Sequence, residues 1–94
     1  MTTNNTIEVT YSNERLRILI EEFITRQKSE FTLQSVCSYV LFWAMEDGHT
    51  SGNGIYESNQ LAESDCGRIS QLLTKIVCEG RISLTGDCFE KLKN

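Results

Sequence analysis

Apolar residues recur at helical spacing in three stretches of the chain. The first stretch begins at about Ser12 and ends before Ser29, and charged side chains occupy its remaining faces. Apolar residues at positions i, i+3, i+4, i+7 and i+8 lie on one side of a helix, so this stretch predicts an amphipathic helix with one buried face. The residues at these positions are Leu16, Leu19, Ile20, Phe23 and Ile24.

The second stretch, residues 33–47, is preceded by Thr32 and followed by Gly48, which are suited to begin and end a helix. Several positions in its first turn are polar, whereas residues 39–45 are apolar on every side. A helix that is apolar all round is buried all round. We therefore expect this helix at the centre of the fold, covered by the other helices or, where they do not reach, by a second subunit.

The third stretch begins at Asp65, the expected N-cap, and ends before Gly80, which is placed to adopt the left-handed conformation after the last turn. A short helix from Ser58 to Glu63 is expected before it, separated by a turn at residues 63–65. Because the third stretch has a single apolar stripe, its opposite face is predicted to be exposed. The stripe consists of Ile69, Leu72, Leu73, Ile76 and Val77, and the opposite face of Gly67, Gln71, Thr74, Lys75 and Cys78.

The beginning of the chain has a weaker pattern. Residues 1–11 are polar, with Ile7, Val9 and Tyr11 alternating as in a short strand. We assign them to a flexible N-terminal arm that either frays or pairs with a neighbour. Residues 12–94 are assigned to a single domain.

The end of the chain is compatible with two structures. Residues 81–84 predict a strand that pairs with residues 55–56. Beyond it, Asp87 begins a capping box followed by helix-favouring residues, and we prefer the C-terminal helix that this predicts. The alternative is a turn at Gly86 and Asp87, with residues 88–92 as the return strand of a hairpin.

The composition narrows the class of protein. A chain of 94 residues forms one domain, and a hydrophobic fraction of 39% with 23% charged residues is typical of a globular protein. Thirteen acidic against nine basic side chains give a net charge of −4, a sign that disfavours non-specific binding to nucleic acids. The chain begins without a basic, apolar leader, and its longest apolar run is too short to span a membrane. We expect a cytoplasmic protein.

Candidate catalytic and metal-ligating residues are few. The four cysteines stand at positions 37, 66, 78 and 88, without the close pairs of metal sites, so we expect free thiols and no metal. His49, the only histidine, lies in a glycine-rich loop that lacks the ending of a phosphate-binding loop. With no catalytic set of residues and no cofactor motif, we do not expect an enzyme.

The order helix, short strand, short helix, turn, amphipathic helix and strand resembles the winged-helix domains of bacterial DNA-binding regulators. Three segments carry the resemblance: residues 61–63 as the second helix, residues 68–73 in the recognition helix, and residues 79–82 leading into the wing. It implies a mainly α, small α+β fold over about residues 36–92, with an extra N-terminal helix, a short two-stranded β element and the C-terminal helix. The chain departs from the family in having about one helical turn less between the first two segments.

The resemblance implies a transcriptional regulator that places the helix of residues 65–79 in the major groove of DNA. It would act as a homodimer on a palindromic site, because two copies double the contacts of a chain with few basic residues. The alternative is a winged-helix-like module that binds a protein, an accessory or inhibitory factor such as a phage or mobile element encodes. The acidic residues Glu63 and Glu79, beside the same helix, favour this alternative. The residues expected to contact DNA are Arg68, Ser70, Gln71, Thr74, Lys75 and Arg81.

Overall fold

A computed structural model describes residues 6–51 and 60–92 of the chain. Within these residues the chain forms three helices and six short strands, which confirms the small α+β class. The helices are α1 (Asn13–Arg26), α2 (Leu33–Asp47) and α3 (Glu63–Cys78). The strands are β1 (Thr6–Val9), β2 (Phe31–Thr32), β3 (Thr50–Ser51), β4 (Gln60–Leu61), β5 (Ile82–Thr85) and β6 (Cys88–Lys91).

α1 begins where the sequence predicts. The Ser12 hydroxyl accepts a hydrogen bond from the Arg15 N–H at 3.2 Å, which satisfies one of the free N–H groups of the first turn. All five residues of the predicted apolar face are buried. This face packs against both α2 and α3, so α1 covers one side of the core.

α2 has the predicted boundaries but not the predicted burial. The Thr32 hydroxyl accepts a hydrogen bond from the Ser35 N–H at 3.2 Å, and Gly48 ends the helix with a φ of 75°. Its inner face is fully buried against α1 and α3, whereas Phe42 is 56% exposed and Met45 37% exposed. Within one chain α1 and α3 therefore do not reach around to the outer face of α2, and the expected covering of that face by a second subunit stays a prediction.

α3 begins earlier than expected. Ala62 is its N-cap, and the Ala62 carbonyl accepts hydrogen bonds from the N–H groups of Asp65 and Cys66, both at 3.0 Å. Residues 63–65 are thus the first turn of α3, and the predicted turn and cap at these positions are wrong. Carboxylates in a first helical turn are favoured by the helix dipole, so the same residues suit either structure.

The expected short helix before this point is also wrong where it falls within the described residues. Gln60–Leu61 is strand β4, and residues 52–59, which contain the expected start of that helix, lie outside the described part of the chain. Leu61 is buried in the core. The pairing of β4 with β1 supplies the hydrogen bonds that a helix would otherwise make.

The end of α3 follows the prediction. Gly80 has a φ of 79°, and its N–H donates to the Val77 carbonyl at 2.9 Å. The Arg81 N–H donates to the Ile76 carbonyl at 3.4 Å, which completes a Schellman motif. The apolar stripe of α3 faces the core, and its predicted opposite face is exposed.

β1 is the middle strand of a small sheet with the order β3-β1-β4, antiparallel to β3 and parallel to β4. Ile7, Val9 and Tyr11 are buried, as their alternation predicts. Residues 6–11 therefore belong to the core of the domain and not to a flexible arm. Residues 1–5 of the predicted arm lie outside the described part of the chain.

β5 and β6 form a hairpin, and β2 pairs with the other edge of β6, so the second sheet has the order β2-β6-β5. The preferred C-terminal helix is therefore wrong, and the alternative hairpin is confirmed. The physical reason is Phe89, which is buried and stacks on Phe31 of β2 with 5.6 Å between ring centroids. This long-range contact outweighs the helix propensity of the last residues. The expected partner of β5, residues 55–56, lies outside the described ranges.

One continuous cluster of buried residues joins the three helices to the inner faces of both sheets. In residues 6–51 and 60–92, no helix is both long enough and apolar enough to cross a membrane.

Candidate interaction surfaces and a thiol pair

The outer face of α3 carries part of the predicted DNA-binding set. Gln71, Thr74 and Lys75 are exposed along it, and Ser70 is half-buried at its margin. The Thr74 hydroxyl donates to the Ser70 carbonyl at 2.9 Å, which leaves Gln71 and Lys75 as the long side chains free to contact a ligand. Among the five exposed residues predicted for this face, Lys75 is the one cation.

Arg68 does not belong to that face. Its guanidinium donates to the Tyr11 carbonyl and to Asn13 Oδ1, each at 3.0 Å, and its other terminal nitrogen donates to Asp65 Oδ1 at 3.0 Å. The second oxygen of Asp65, which is buried, accepts a hydrogen bond from the Val9 N–H at 3.0 Å. Arg68 and Asp65 thus tie α3 to the junction between β1 and α1.

Arg81 lies in a second cluster, where α1 meets the end of α3. The Arg17 guanidinium donates to Glu21 at 2.7 Å and to both carboxylate oxygens of Glu79 at 2.6 and 2.8 Å, and Arg81 is 3.2 Å from Glu21. Two cations and two carboxylates therefore neutralise one another. The hydrogen bond from Arg17 lowers the pKa of the Glu21 carboxyl below its usual value.

The structure thus brings together four of the six predicted contact residues. Ser70, Gln71, Thr74 and Lys75 share the outer side of α3, whereas Arg68 and Arg81 are engaged in separate intramolecular ion pairs. Of the two acidic residues that disfavour DNA binding beside this helix, Glu79 has its charge offset by Arg17, whereas Glu63 is exposed. What remains on α3 is a nearly neutral polar surface.

The outer face of α2 exposes two large apolar side chains, Phe42 and Met45. Phe42 and Met45 border a shallow groove of about 270 Å³ together with Ser38, Leu41 and Glu46. Phe42 is supported from one side by Trp43, whose ring meets it edge-on with 5.4 Å between centroids. The sequence predicts the apolar character of these positions, but their exposure depends on how far α1 and α3 extend.

A thiol pair lies on the other side of Leu41. Cys37 of α2 and Cys66 of α3 have their sulfur atoms 3.5 Å apart at the base of a pocket of about 310 Å³. Cys37 is buried, as expected, and burial raises the pKa of its thiol to about 12. Sequence spacing holds no signal for this pair, because the two cysteines come together only when α2 packs on α3. The pocket is lined by Leu33, Gln34, Cys37, Ser38, Leu41, Gln60, Leu61 and Cys66.

The described residues contain no cluster of three or more histidine, cysteine, aspartate or glutamate side chains placed to hold a metal ion. His49 is exposed and lies against the Tyr11 ring, with 4.9 Å between centroids. Its backbone carbonyl accepts a hydrogen bond from the Thr10 N–H at 2.8 Å, which joins the end of α2 to β1. In the described structure, His49 therefore contributes to packing at this junction.

Comparison with known proteins found no match for this chain among protein-family models, curated proteins or solved structures.

Proposed function

We propose that this chain is a small winged-helix-like protein-interaction module that binds its partner through the outer face of α2. The observation that carries the proposal is the 56% exposure of Phe42 on a helix whose other side fills the core. Exposed clusters of large apolar side chains mark interaction sites more often than they decorate an unused surface. Aromatic residues and methionine are also the types that protein interfaces favour, and this face supplies both in Phe42 and Met45.

The charge around this face indicates the chemistry of the partner. Glu46 borders the groove beside Phe42, and Asp47 follows it at the end of the helix. Residues 33–47 include no lysine or arginine, and the whole chain carries a net charge of −4. A partner segment with apolar side chains flanked by lysine or arginine would complement this surface in both shape and charge.

The same charge distribution weakens the case for DNA. Affinity for DNA depends chiefly on cations that contact phosphates. Arg68 and Arg81, two of the three cations expected to contact DNA, are engaged within the chain, and Lys75 remains. A protein partner does not need this cationic surface.

The winged-helix-like part of the proposal is supported by the order of the elements. α1, β2, α2, α3 and β5 follow the order helix, short strand, helix, amphipathic helix and strand, with β3 and β4 between α2 and α3, whereas the sequence suggested a different order over about residues 36–92. α2 takes the place of the second helix that the sequence suggested at residues 61–63. The β5–β6 hairpin after α3 stands where a wing is expected.

The proposal is tested by selecting ligands from a random peptide library with the immobilised chain. We expect peptides that combine apolar and basic residues, and we expect them to lose at least tenfold in affinity for the double variant Phe42→Gln/Met45→Gln. Ile18→Gln is the matched control, because Ile18 is an exposed isoleucine on α1, away from the groove. Selected peptides that bind both variants as well as the wild type would place the binding surface elsewhere.

A second candidate function is the DNA-binding regulator acting as a homodimer, and the exposed row of Gln71, Thr74 and Lys75 on α3 favours it. Fluorescence anisotropy with random duplex DNA at low and moderate salt tests it. Such a regulator binds weakly and loses affinity steeply as salt rises, and Gln71→Ala/Lys75→Ala reduces that binding. Absence of binding at low salt, or a monomer by light scattering, contradicts this candidate and leaves the first one standing.

A further inference from the structure

Cys37 and Cys66 are the two thiols of the chain that the fold brings into contact. Their sulfur atoms lie 3.5 Å apart, and the two residues belong to different helices. This separation is about 1.5 Å longer than a disulfide bond, so the two sulfurs are in van der Waals contact and must approach further to form one. The fold therefore holds the two thiols as direct neighbours.

We propose that Cys37 and Cys66 form a thiol–disulfide exchange site, which reacts with low-molecular-weight disulfides such as glutathione disulfide and closes a bond between α2 and α3. This site goes beyond the proposed function and does not depend on it. The chemistry requires no metal and no further protein residue.

The pocket determines which thiol reacts first. Both thiols line the pocket, but Cys66 is partly exposed and Cys37 is buried, so a disulfide that enters the pocket reaches Cys66 more readily. The opening is lined by the polar side chains of Gln34, Ser38 and Gln60, which can donate hydrogen bonds to the peptide groups of glutathione. Its volume of about 310 Å³ lies within the range of small-molecule sites.

The reaction has two steps. In the first, the Cys66 thiolate attacks one sulfur of glutathione disulfide, the bond between the two glutathione sulfurs breaks, and one glutathione leaves as a thiolate. In the second, the Cys37 thiol gives its proton to solvent and its thiolate attacks Cys66 Sγ, which releases the second glutathione as a thiolate. The two protein thiols are oxidised, and one glutathione disulfide is reduced to two glutathione molecules.

Burial controls the rate of the second step. Because burial raises the pKa of the Cys37 thiol above its usual value, only a small fraction of Cys37 is a thiolate at neutral pH. The mixed disulfide on Cys66 should therefore accumulate before the ring closes. We expect the rate of closure to rise by about tenfold per pH unit between roughly pH 7 and pH 9.

The test uses the full chain with Cys78→Ser and Cys88→Ser, because these two thiols lie outside the pair. After incubation of this two-thiol variant with glutathione disulfide, we expect loss of both free thiols, no retained glutathione, and a Cys37–Cys66 cross-linked peptide by mass spectrometry. Because the bond restrains the unfolded chain between the two helices, the melting temperature should rise by about 10 °C or more.

Two further variants assign the steps. Cys37→Ser in the same background should stop at one glutathione per chain, held on Cys66. Cys66→Ser should react at least tenfold more slowly, because the remaining thiol is buried. The proposal is overturned if the two-thiol variant keeps glutathione without closing the bond, forms only dimers between chains, or reacts equally fast without Cys66. Circular dichroism of each variant before oxidation checks that it has folded.

Discussion

The carboxylate of Asp65, in the first turn of α3, accepts a hydrogen bond from the backbone N–H of Val9 in β1 at 3.0 Å. Its other oxygen accepts from Arg68, so one buried acid joins the helix to the middle strand of the first sheet and orients the arginine. A buried carboxylate is tolerated when hydrogen bonds replace the water it has lost. Asp65 is consequently a structural residue at the point where the first sheet meets the helices.

Asp65→Ala is expected to lower the free energy of unfolding by about 2–3 kcal/mol, because it leaves the Val9 N–H without its acceptor and Arg68 without its carboxylate. Asp65→Asn should cost less, since the amide oxygen can still accept one hydrogen bond. Glu63→Ala is the control, as Glu63 is exposed in the same helical turn. Urea denaturation measures the stability of all three variants. If Asp65→Ala is as stable as Glu63→Ala, the hydrogen bonds of Asp65 with Val9 and Arg68 contribute nothing to stability.

The ion-pair cluster between α1 and the end of α3 predicts a pH dependence. Arg17 lowers the pKa of Glu21 in the folded protein, so the stabilisation is present above the unfolded pKa and is lost as pH falls through the folded pKa. In melting experiments between about pH 5 and pH 3, the wild type should lose stability more steeply than Glu21→Gln. High salt should reduce the difference, because the cluster is at the surface. Parallel curves for the two proteins at low salt would contradict this prediction.

Gly67 lies within α3 and Gly80 lies just after its end. Replacing them by alanine should change the stability of the protein in opposite directions. Gly67 lies within the helix with nothing within 4 Å of the added Cβ, so Gly67→Ala should stabilise the protein by about 0.5–1 kcal/mol. Gly80 has a φ of 79°, and Gly80→Ala should destabilise it by about 1 kcal/mol or more, although the space around it is equally open. Thermal melts of the two alanine variants separate the effect of backbone conformation from that of crowding. Melting temperatures that shift in the same direction would contradict the Schellman motif at the end of α3.

The hydroxyl of Tyr11 is buried and has no hydrogen-bond partner among the described residues. Burial is also the largest of the effects that raise the pKa of this phenol. Removing an unpaired buried hydroxyl relieves its desolvation, so Tyr11→Phe should leave stability unchanged or increase it by up to about 1 kcal/mol. Tyr39→Phe, at a partly buried position, is the control. A clear loss of stability in urea for Tyr11→Phe alone would contradict this prediction.

The features that the sequence predicts correctly are those set by neighbouring residues. The start of α1 at about Ser12, the cap at Thr32, the left-handed Gly80 and the stripe along α3 follow from local spacing and from the conformational preferences of single residues. The C-terminal hairpin was not the preferred structure, because the contact that favours it joins Phe89 to Phe31, across most of the chain.

The candidate sites show the same division. The exposed row of Gln71, Thr74 and Lys75 follows from helical periodicity, whereas the roles of Arg68 and Arg81 depend on partners in other elements. The exposure of Phe42 also could not be predicted. In a helix that is apolar all round, the sequence does not show which positions the other elements cover. Contact between Cys37 and Cys66 is likewise a product of helix packing.

The position of β1 between β3 and β4 has a consequence for how the chain is made. During translation this strand leaves the ribosome before α1, α2 and β3, and Leu61, which pairs with Ile7, follows only after all three. At ordinary rates of synthesis the delay is roughly 3–10 s, long enough for α1 and α2 to form while the middle strand still lacks a neighbour. β1 is thus synthesised before the helices but completed after them, and Ile7 lacks its partner strand until the residues just before α3 have emerged.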